Sequence, residues 1–342
     1  MKTVGEQGMK AMVLKETLAV ERKPLERMDL PVPAPGPKEI LIRISACGVC
    51  HTELDEIEGR LKPNLPMILG HEIIGKVEQL GSEAKRFRIG DRVGIAWIHS
   101  ACGKCRFCRE GNENLCAEFQ GTGCHAHGGY SQLTVVGEDF AYPIPGRYSD
   151  VEAAPLLCAG AIGYRDLRLS GIRQGQALGL FGFGASAHIV IQIAKHWGCE
   201  VFVFTRSEAH QKLARRLGAG WAGGPEDASP KPLQCAIDFT PIGETVPRAL
   251  AALDRGGRLV LAVIRKRNPV PPLDYAQHLW DEKEIKSVAN ITRKDVQDFL
   301  QLAAEIPIIP EVQEFKLEEA NRVLLLLKQG NIQGAAVLRM ND

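Results

Sequence analysis

The hydrophobic and polar positions along this chain change their period near residue 175, and the change divides it. Before that point, short apolar or alternating runs are separated by glycine and proline. Residues 9–14 (MKAMVL), 39–47 (EILIRISAC), 73–80, 92–97 and 128–136 have strand length and strand patterning. Residues 31–37 (PVPAPGP) cannot form regular structure, because four prolines fix φ and remove donors. A helix is expected from Ser149-Asp150, and the run PLLCAG places Cys158 inside a long helix. After residue 175, apolar runs alternate with amphipathic stretches of helical period. Strands are predicted at 177–181, 200–204, 235–239 and 257–264, and helices at 188–197, 208–217 and 246–253. That alternation is the mark of a parallel sheet with crossover helices. The last segment, from about residue 291, reads as helix 294–305, strand 312–315, helix 318–329 and strand 334–339. The fold class is α/β, with a β-rich first part and a Rossmann-type parallel sheet.

Bulk numbers narrow the function. The 342 residues suit about two domains. A net charge of +1 gives no electrostatic footprint for nucleic acid or an anionic membrane. No apolar run reaches the roughly 18 residues of a membrane span, and residues 1–10 lack the apolar core of an export signal. Ten cysteines in such a chain are expected as ligands and reduced thiols rather than disulfides, and a cytoplasmic location follows.

The cysteines carry the first chemistry. Cys102-x2-Cys105-x2-Cys108-x7-Cys116 places four thiols where one short loop can wrap a tetrahedral ion, and such a closed shell leaves no position for a reaction. An iron–sulfur cluster also takes four cysteines, but the proline-terminated ferredoxin spacing is missing. Cys50 and His71 supply a thiol and an imidazole, ligands that zinc selects, and Cys158 is the third candidate; three ligands and an open fourth position make a catalytic site. Gly182-Phe-Gly184-Ala-Ser-Ala187 follows a predicted strand and opens a helix, the context in which a glycine-rich turn cradles a dinucleotide pyrophosphate.

Gly70-His71-Glu72-x2-Gly75-x5-Gly81-x2-Ala84 and Cys47-Gly-Val-Cys50-His-Thr-Glu-Leu together resemble the zinc-containing alcohol dehydrogenases of the medium-chain dehydrogenase/reductase family. The resemblance spans about residues 9–340. It implies a GroES-like catalytic domain from 1–157 and 291–342, and a Rossmann domain from 158–290. It also implies an oxidoreductase that moves a hydride between a small primary or secondary alcohol and a nicotinamide cofactor. Two Zn²⁺ per chain are expected, one catalytic on Cys50, His71 and Cys158 and one structural on Cys102, Cys105, Cys108 and Cys116. By the same resemblance Thr52 is the relay hydroxyl and His51 the basic group on the pyrophosphate. Glu53 orients the His71 imidazole, and Glu72 meets the metal transiently. Thr52 and Glu53 as helix caps, and Glu72 as the partner of an arginine, are the plainer alternatives. A homodimer or homotetramer is implied.

Departures from the family bear on the cofactor. Asp55 stands where many members have a histidine in the proton path. Ile162 faces the nicotinamide where many have threonine. Ala335 replaces an arginine that reaches the pyrophosphate. At the end of the second nucleotide-domain strand, Thr205-Arg206-Ser207 lacks the acidic residue that accepts from the NAD ribose; Arg206 suits a 2′-phosphate, which favours NADP over NAD. Zinc-free enal or quinone reductases lack both cysteine sets, and a nucleic-acid-binding zinc ribbon conflicts with the near-neutral charge. His125 and His127 read as a polar turn, and Cys47, Cys124, Cys199 and Cys235 as small buried side chains. Trp97 fits the alcohol pocket or the core.

Overall fold

A computed structural model describes residues 8–340. Residues 1–7, which belong to the first expected domain and to the stretch read as lacking an export signal, lie outside the described residues, as do 341–342. The chain divides into two compact units. One comprises Met1–Cys158, Ile291–Glu305 and Pro310–Asp342; the other comprises Ala159–Asn290 and Ile306–Ile309. Cys158 and Ile306–Ile309 thus fall on the opposite side of the expected division. No helix among the described residues is long and apolar enough to cross a membrane.

The first unit is built on a seven-stranded sheet. Its order is Ala141–Pro143, Arg92–Ile95, Glu72–Leu80, Glu39–Val49, Ala335–Arg339 and Val312–Lys316, and Leu133–Gly137 also pairs with Glu39–Val49. The long strand Glu39–Val49 organises this sheet. Ile40, Leu41, Ile42 and Ile44 are all buried in its core, each worth roughly 1.5–3 kcal/mol. The C-terminal strand returns to it, antiparallel, with Ala336 opposite Val49. On the other side Gly48 pairs with Glu72, so Cys50 and His71 leave the same end of the sheet although 20 residues separate them. A smaller sheet, Leu25–Pro31, Gly8–Leu14 and Met67–Ile68, packs into the same core.

Cys158 does not lie inside a helix. Ser149 caps a short helix, Asp150–Ala153, with a reciprocal bond to Glu152. Pro155 then enters a 3₁₀ turn, Ala154–Leu157, and the next helix is Ala159–Ser170. Cys158 sits at the break, with φ −123° and ψ −71°. The turn rests on the sheet at Gly94, where a Cβ would come within 2.7 Å of Leu157. The break, rather than a continuous helix, turns the thiol back toward Cys50.

The second unit is a six-stranded sheet, parallel throughout. Its order is Trp221–Gly223, Glu200–Phe204, Ala177–Phe181, Leu233–Asp238, Leu253–Leu261 and Glu284–Ser287. In chain order this is 3-2-1-4-5-6, the doubly wound arrangement, with its switch point between Ala177–Phe181 and Leu233–Asp238. The helix Ala185–His196 buries Ile189, Val190, Ile191 and Ile193, and Gly163 lets Ala159–Ser170 approach Val190.

Candidate active site

Cys50 follows the long strand and caps the helix His51–Ile57 in extended conformation. Its backbone N–H donates to Glu53 Oε2 at 2.7 Å. The other oxygen of the same carboxylate lies 2.7 Å from His71 Nδ1. Glu53 is fully buried and His71 is 1% exposed, so one carboxylate fixes the chain at one thiol and the ring of the imidazole. The cap reading and the ligand-orienting reading of Glu53 describe the same geometry. Gly70 has φ +95°, and a Cβ there would strike the Tyr130 ring at 2.5 Å and Cys47 Sγ at 2.8 Å. That is why the turn before His71 takes glycine. A Cβ at Gly48 would fall 1.8 Å from Glu72 Oε2, so the missing side chain makes room for the carboxylate.

The ligand atoms of Cys50, His71, Glu72 and Cys158 all lie within 4.8 Å of one another. The two sulfurs are 4.0 Å apart; the edge of a tetrahedron with Zn–S bonds of 2.3 Å is about 3.8 Å. His71 Nε2 is buried without a hydrogen-bond partner, which is expensive unless something binds it. A hydrogen bond from the Cys158 thiol draws Cys50 well below its ordinary range, and Cys158 rises in return. Burial works against charge on His71, but Glu53 and Cys50 outweigh it and hold the imidazole well above its usual value. Burial, then the negative charge of Cys50, pushes Glu72 well up. These donors fit a zinc ion. Around them Thr52 Oγ1 lies 3.6 Å from Cys50 Sγ. Trp97 is 7% exposed and sets its ring edge-on to His71 with centroids 5.0 Å apart. His51 is exposed on the first turn of its helix. Asp55 is held by Arg60 Nε at 2.5 Å.

The four cysteines of the lobe also converge, with ligand atoms within 4.8 Å and Cys102 Sγ 3.9 Å from Cys108 Sγ. Backbone N–H groups of Lys104 and Cys105 bring Cys102 down to about 7, while desolvation pushes Cys108 up to about 12. One anchor of the lobe escaped sequence reasoning. Glu113, buried between Cys108 and Cys116, accepts from Arg293 N and Nε, both at 3.0 Å. The partners lie 180 residues apart, with no local signal to join them. Cys47, Cys124, Cys199 and Cys235 are buried free thiols. His125 and His127 accept backbone N–H bonds from Gly121 and Ile68, so they serve as turn residues.

In the second unit, Gly182 has φ +87° at the end of the first strand, and Gly184 caps the following helix with open space where a Cβ would stand. Ala187 is buried. Thr205 is buried with its N–H on Gly223 O. Ser207 Oγ accepts from His210 N and caps the helix Glu208–Arg216. Arg206 is exposed and has no ion-pair partner among the described residues. Ile162 is half-buried on the helix Ala159–Ser170.

Comparison with known proteins decides the family. Residues 36–146 match the alcohol dehydrogenase GroES-like domain, and residues 187–305 match the zinc-binding dehydrogenase model. A probable alcohol dehydrogenase AdhA of Mycobacterium tuberculosis is 45% identical over 336 residues, covering 96% of this chain and 97% of its own. This chain belongs to the zinc-type alcohol dehydrogenases of the medium-chain dehydrogenase/reductase family. It is an NAD(P)-dependent zinc alcohol dehydrogenase, and its reaction is alcohol and aldehyde oxidoreduction. Among solved structures it is similar to CAD from Helicobacter pylori complexed with NADP(H), with a TM-score of 0.89, 25% identity and coverage of 97% and 98%. An NAD-dependent alcohol dehydrogenase has a TM-score of 0.89, 28% identity and coverage of 97% and 100%.

Proposed function

We propose that this enzyme oxidises small primary or secondary alcohols with NADP, and reduces the matching aldehydes and ketones, at a zinc site formed by Cys50, His71 and Cys158. The observation that carries this reading is the convergence of two thiols and an imidazole within 4.8 Å, with Glu53 bound to both strand ends. When bound, zinc polarises the alcohol oxygen and the nicotinamide takes the hydride. The protein does the rest. Glu53 holds the Nδ1 proton of His71 and so leaves Nε2 as the ligand atom. Thr52 Oγ1 accepts the alcohol proton while passing on its own, since a hydroxyl can do both. His51, Asp55 or water receives it, and Arg60 Nε pairs with Asp55 Oδ1 beside this path. Trp97 packs against His71 and keeps water from that side of the site. Glu72 waits beside the ligands on the floor left by Gly48.

A second zinc on Cys102, Cys105, Cys108 and Cys116 is structural in this reading. Gly182, Gly184 and Ala187 carry the pyrophosphate at the helix N-terminus, and Ile162 lies against the nicotinamide. NADP is favoured because Thr205-Arg206-Ser207 offers an unpaired guanidinium and no carboxylate. We assign a homodimer or homotetramer, supported by the edge strand Glu284–Ser287, exposed along its length beside Trp280 and Tyr275. A cytoplasmic location accords with ten cysteines outside disulfides. A panel of primary and secondary alcohols assayed with both cofactors tests the reading. Turnover faster with NADP is expected; turnover of no alcohol by zinc-replete enzyme would overturn it.

A further inference from the structure

The second unit holds a partly buried cation that the reading above does not use. Lys266 follows the fifth strand of the sheet, and its side chain is 12% exposed. Its Nζ donates to Asp238 Oδ2 at 2.5 Å and to Thr240 O at 2.7 Å. Asp238 is the last residue of the fourth strand and is fully buried. Its other oxygen accepts from Thr240 N at 2.8 Å and Thr240 Oγ1 at 2.7 Å. The carboxylate is therefore spent on protein donors. The ammonium is not: it has three N–H donors, and the third has no partner among the described residues. An ion pair with its carboxylate fully buried contributes little net stability against an apolar replacement, so holding the loop gives no reason for a charge here.

The position of the pair supplies one. A Cβ at Gly182 would meet Thr240 Cγ2 at 3.1 Å and Phe239 Cβ at 3.5 Å, so the residues beside Asp238 abut the glycine turn. The loop is stitched to that strand end by Ala262 N on Asp238 O and Arg267 N on Pro241 O. Asp238 and Lys266 thus flank the switch point, where an open parallel sheet receives its ligand. The doubly wound sheet consists of two mononucleotide halves. The adenosine half is read after the second strand, at Thr205-Arg206-Ser207. Lys266 stands after the fifth strand, on the other half.

We propose that Lys266 is a cofactor-binding residue: its third N–H donates to a phosphate or ribose oxygen on the nicotinamide side of the dinucleotide, and Asp238 is the positioning residue that aims it. The proposal rests on the reading that a dinucleotide binds at the glycine turn. It places a cation on the cofactor in a chain that has Ala335, not arginine, near its C-terminus.

The test is calorimetric titration of the zinc-loaded full chain with AMP, ADP and ADP-ribose. Wild type should bind more tightly along that series. Asp238→Asn with Lys266→Met removes both partners together, so that no charge is left buried alone. It should bind AMP as wild type does and lose about tenfold or more of the affinity gained by the larger fragments, the worth of a hydrogen bond to a charged group. Loss appearing with ADP identifies the phosphate, and loss appearing only with ADP-ribose identifies the ribose. Equal affinities in variant and wild type, or equal loss for all three fragments, would overturn the proposal. Wild type that binds none of them would instead remove the dinucleotide reading beneath it. A crystal structure of the wild-type complex with ADP-ribose needs no variant. Lys266 Nζ should lie within about 3.2 Å of a fragment oxygen, and a separation too long for a hydrogen bond would refute the assignment.

Discussion

Removing the Glu53 carboxylate should weaken zinc at one site and leave the other alone. Glu53 Oε2 accepts a hydrogen bond from Cys50 N at 2.7 Å, its Oε1 pairs with His71 Nδ1 at 2.7 Å, and none of it is exposed. Glu53→Ala leaves both donors buried and unpaired, each costing about 1–3 kcal/mol. Part of that appears as lost fold stability. The rest appears as a His71 ring and a Cys50 strand end free to leave the ligand geometry, a loss of about 10–100-fold in metal affinity. Glu53→Gln keeps the volume and one acceptor, so it should fall between Glu53→Ala and wild type. Competition against a chromophoric chelator reads both zinc sites in one titration. The four-cysteine lobe serves as the internal control, because Glu53 touches none of its ligands. Glu53→Ala that binds zinc at both sites as wild type does would refute the reasoning, as would equal weakening of both.

Thr52→Ala should lower kcat by about 10²–10⁴-fold, the usual worth of positioned proton transfer, while Thr52→Ser keeps activity; normal turnover by Thr52→Ala would move the relay elsewhere. Arg206→Ala should cost about 1.5–3 kcal/mol in kcat/KM with NADP and little with NAD; equal effects on both cofactors would show that Arg206 reads no phosphate. Glu58 bridges Lys328 and Arg60, with Lys328 Nζ at 2.6 Å. Burial works against the charge, but these partners hold the carboxyl down at about 2, below its unfolded value of 4.5. Its stabilisation is therefore present above about pH 4.5 and lost as the pH falls toward 2. Glu58→Gln should cost about 1 kcal/mol at pH 7 after solvent screening, with melting curves converging on wild type near pH 2; a constant gap across that range would contradict it.

Much of the second unit was legible because its strands are buried on both faces. The runs at 177–181 and 200–204 became Ala177–Phe181 and Glu200–Phe204, residue for residue. Strands that alternate on a wet surface were missed. In Leu25–Pro31 only Leu25 is buried, and Glu284–Ser287 is exposed at every position. That Cys50, His71 and Cys158 form one cluster, and Cys102, Cys105, Cys108 and Cys116 another, could be read from residue type and spacing, since soft donors are scarce and carry their own meaning. What surrounds them could not. The conformation at Cys158, the Tyr130 ring over Gly70, the Glu113–Arg293 anchor and the Asp238–Lys266 pair all depend on tertiary contacts between residues far apart in the chain. A pattern read over a few residues put Cys158 inside a long helix begun near residue 149, where Pro155 and the sheet at Gly94 impose a short helix, a 3₁₀ turn and a break at Cys158.

The central claim is that Cys50, His71 and Cys158 converge to hold a catalytic zinc separate from the four-cysteine lobe. Anomalous diffraction at the zinc edge on crystals of the purified enzyme tests it most directly. Two peaks per chain are predicted: one among Cys102, Cys105, Cys108 and Cys116, the other within about 2.0–2.4 Å of Cys50 Sγ, His71 Nε2 and Cys158 Sγ. Cys158→Ser should abolish the second peak together with activity and leave the first. A single peak confined to the lobe in active enzyme, or full activity in Cys158→Ser, would contradict the account.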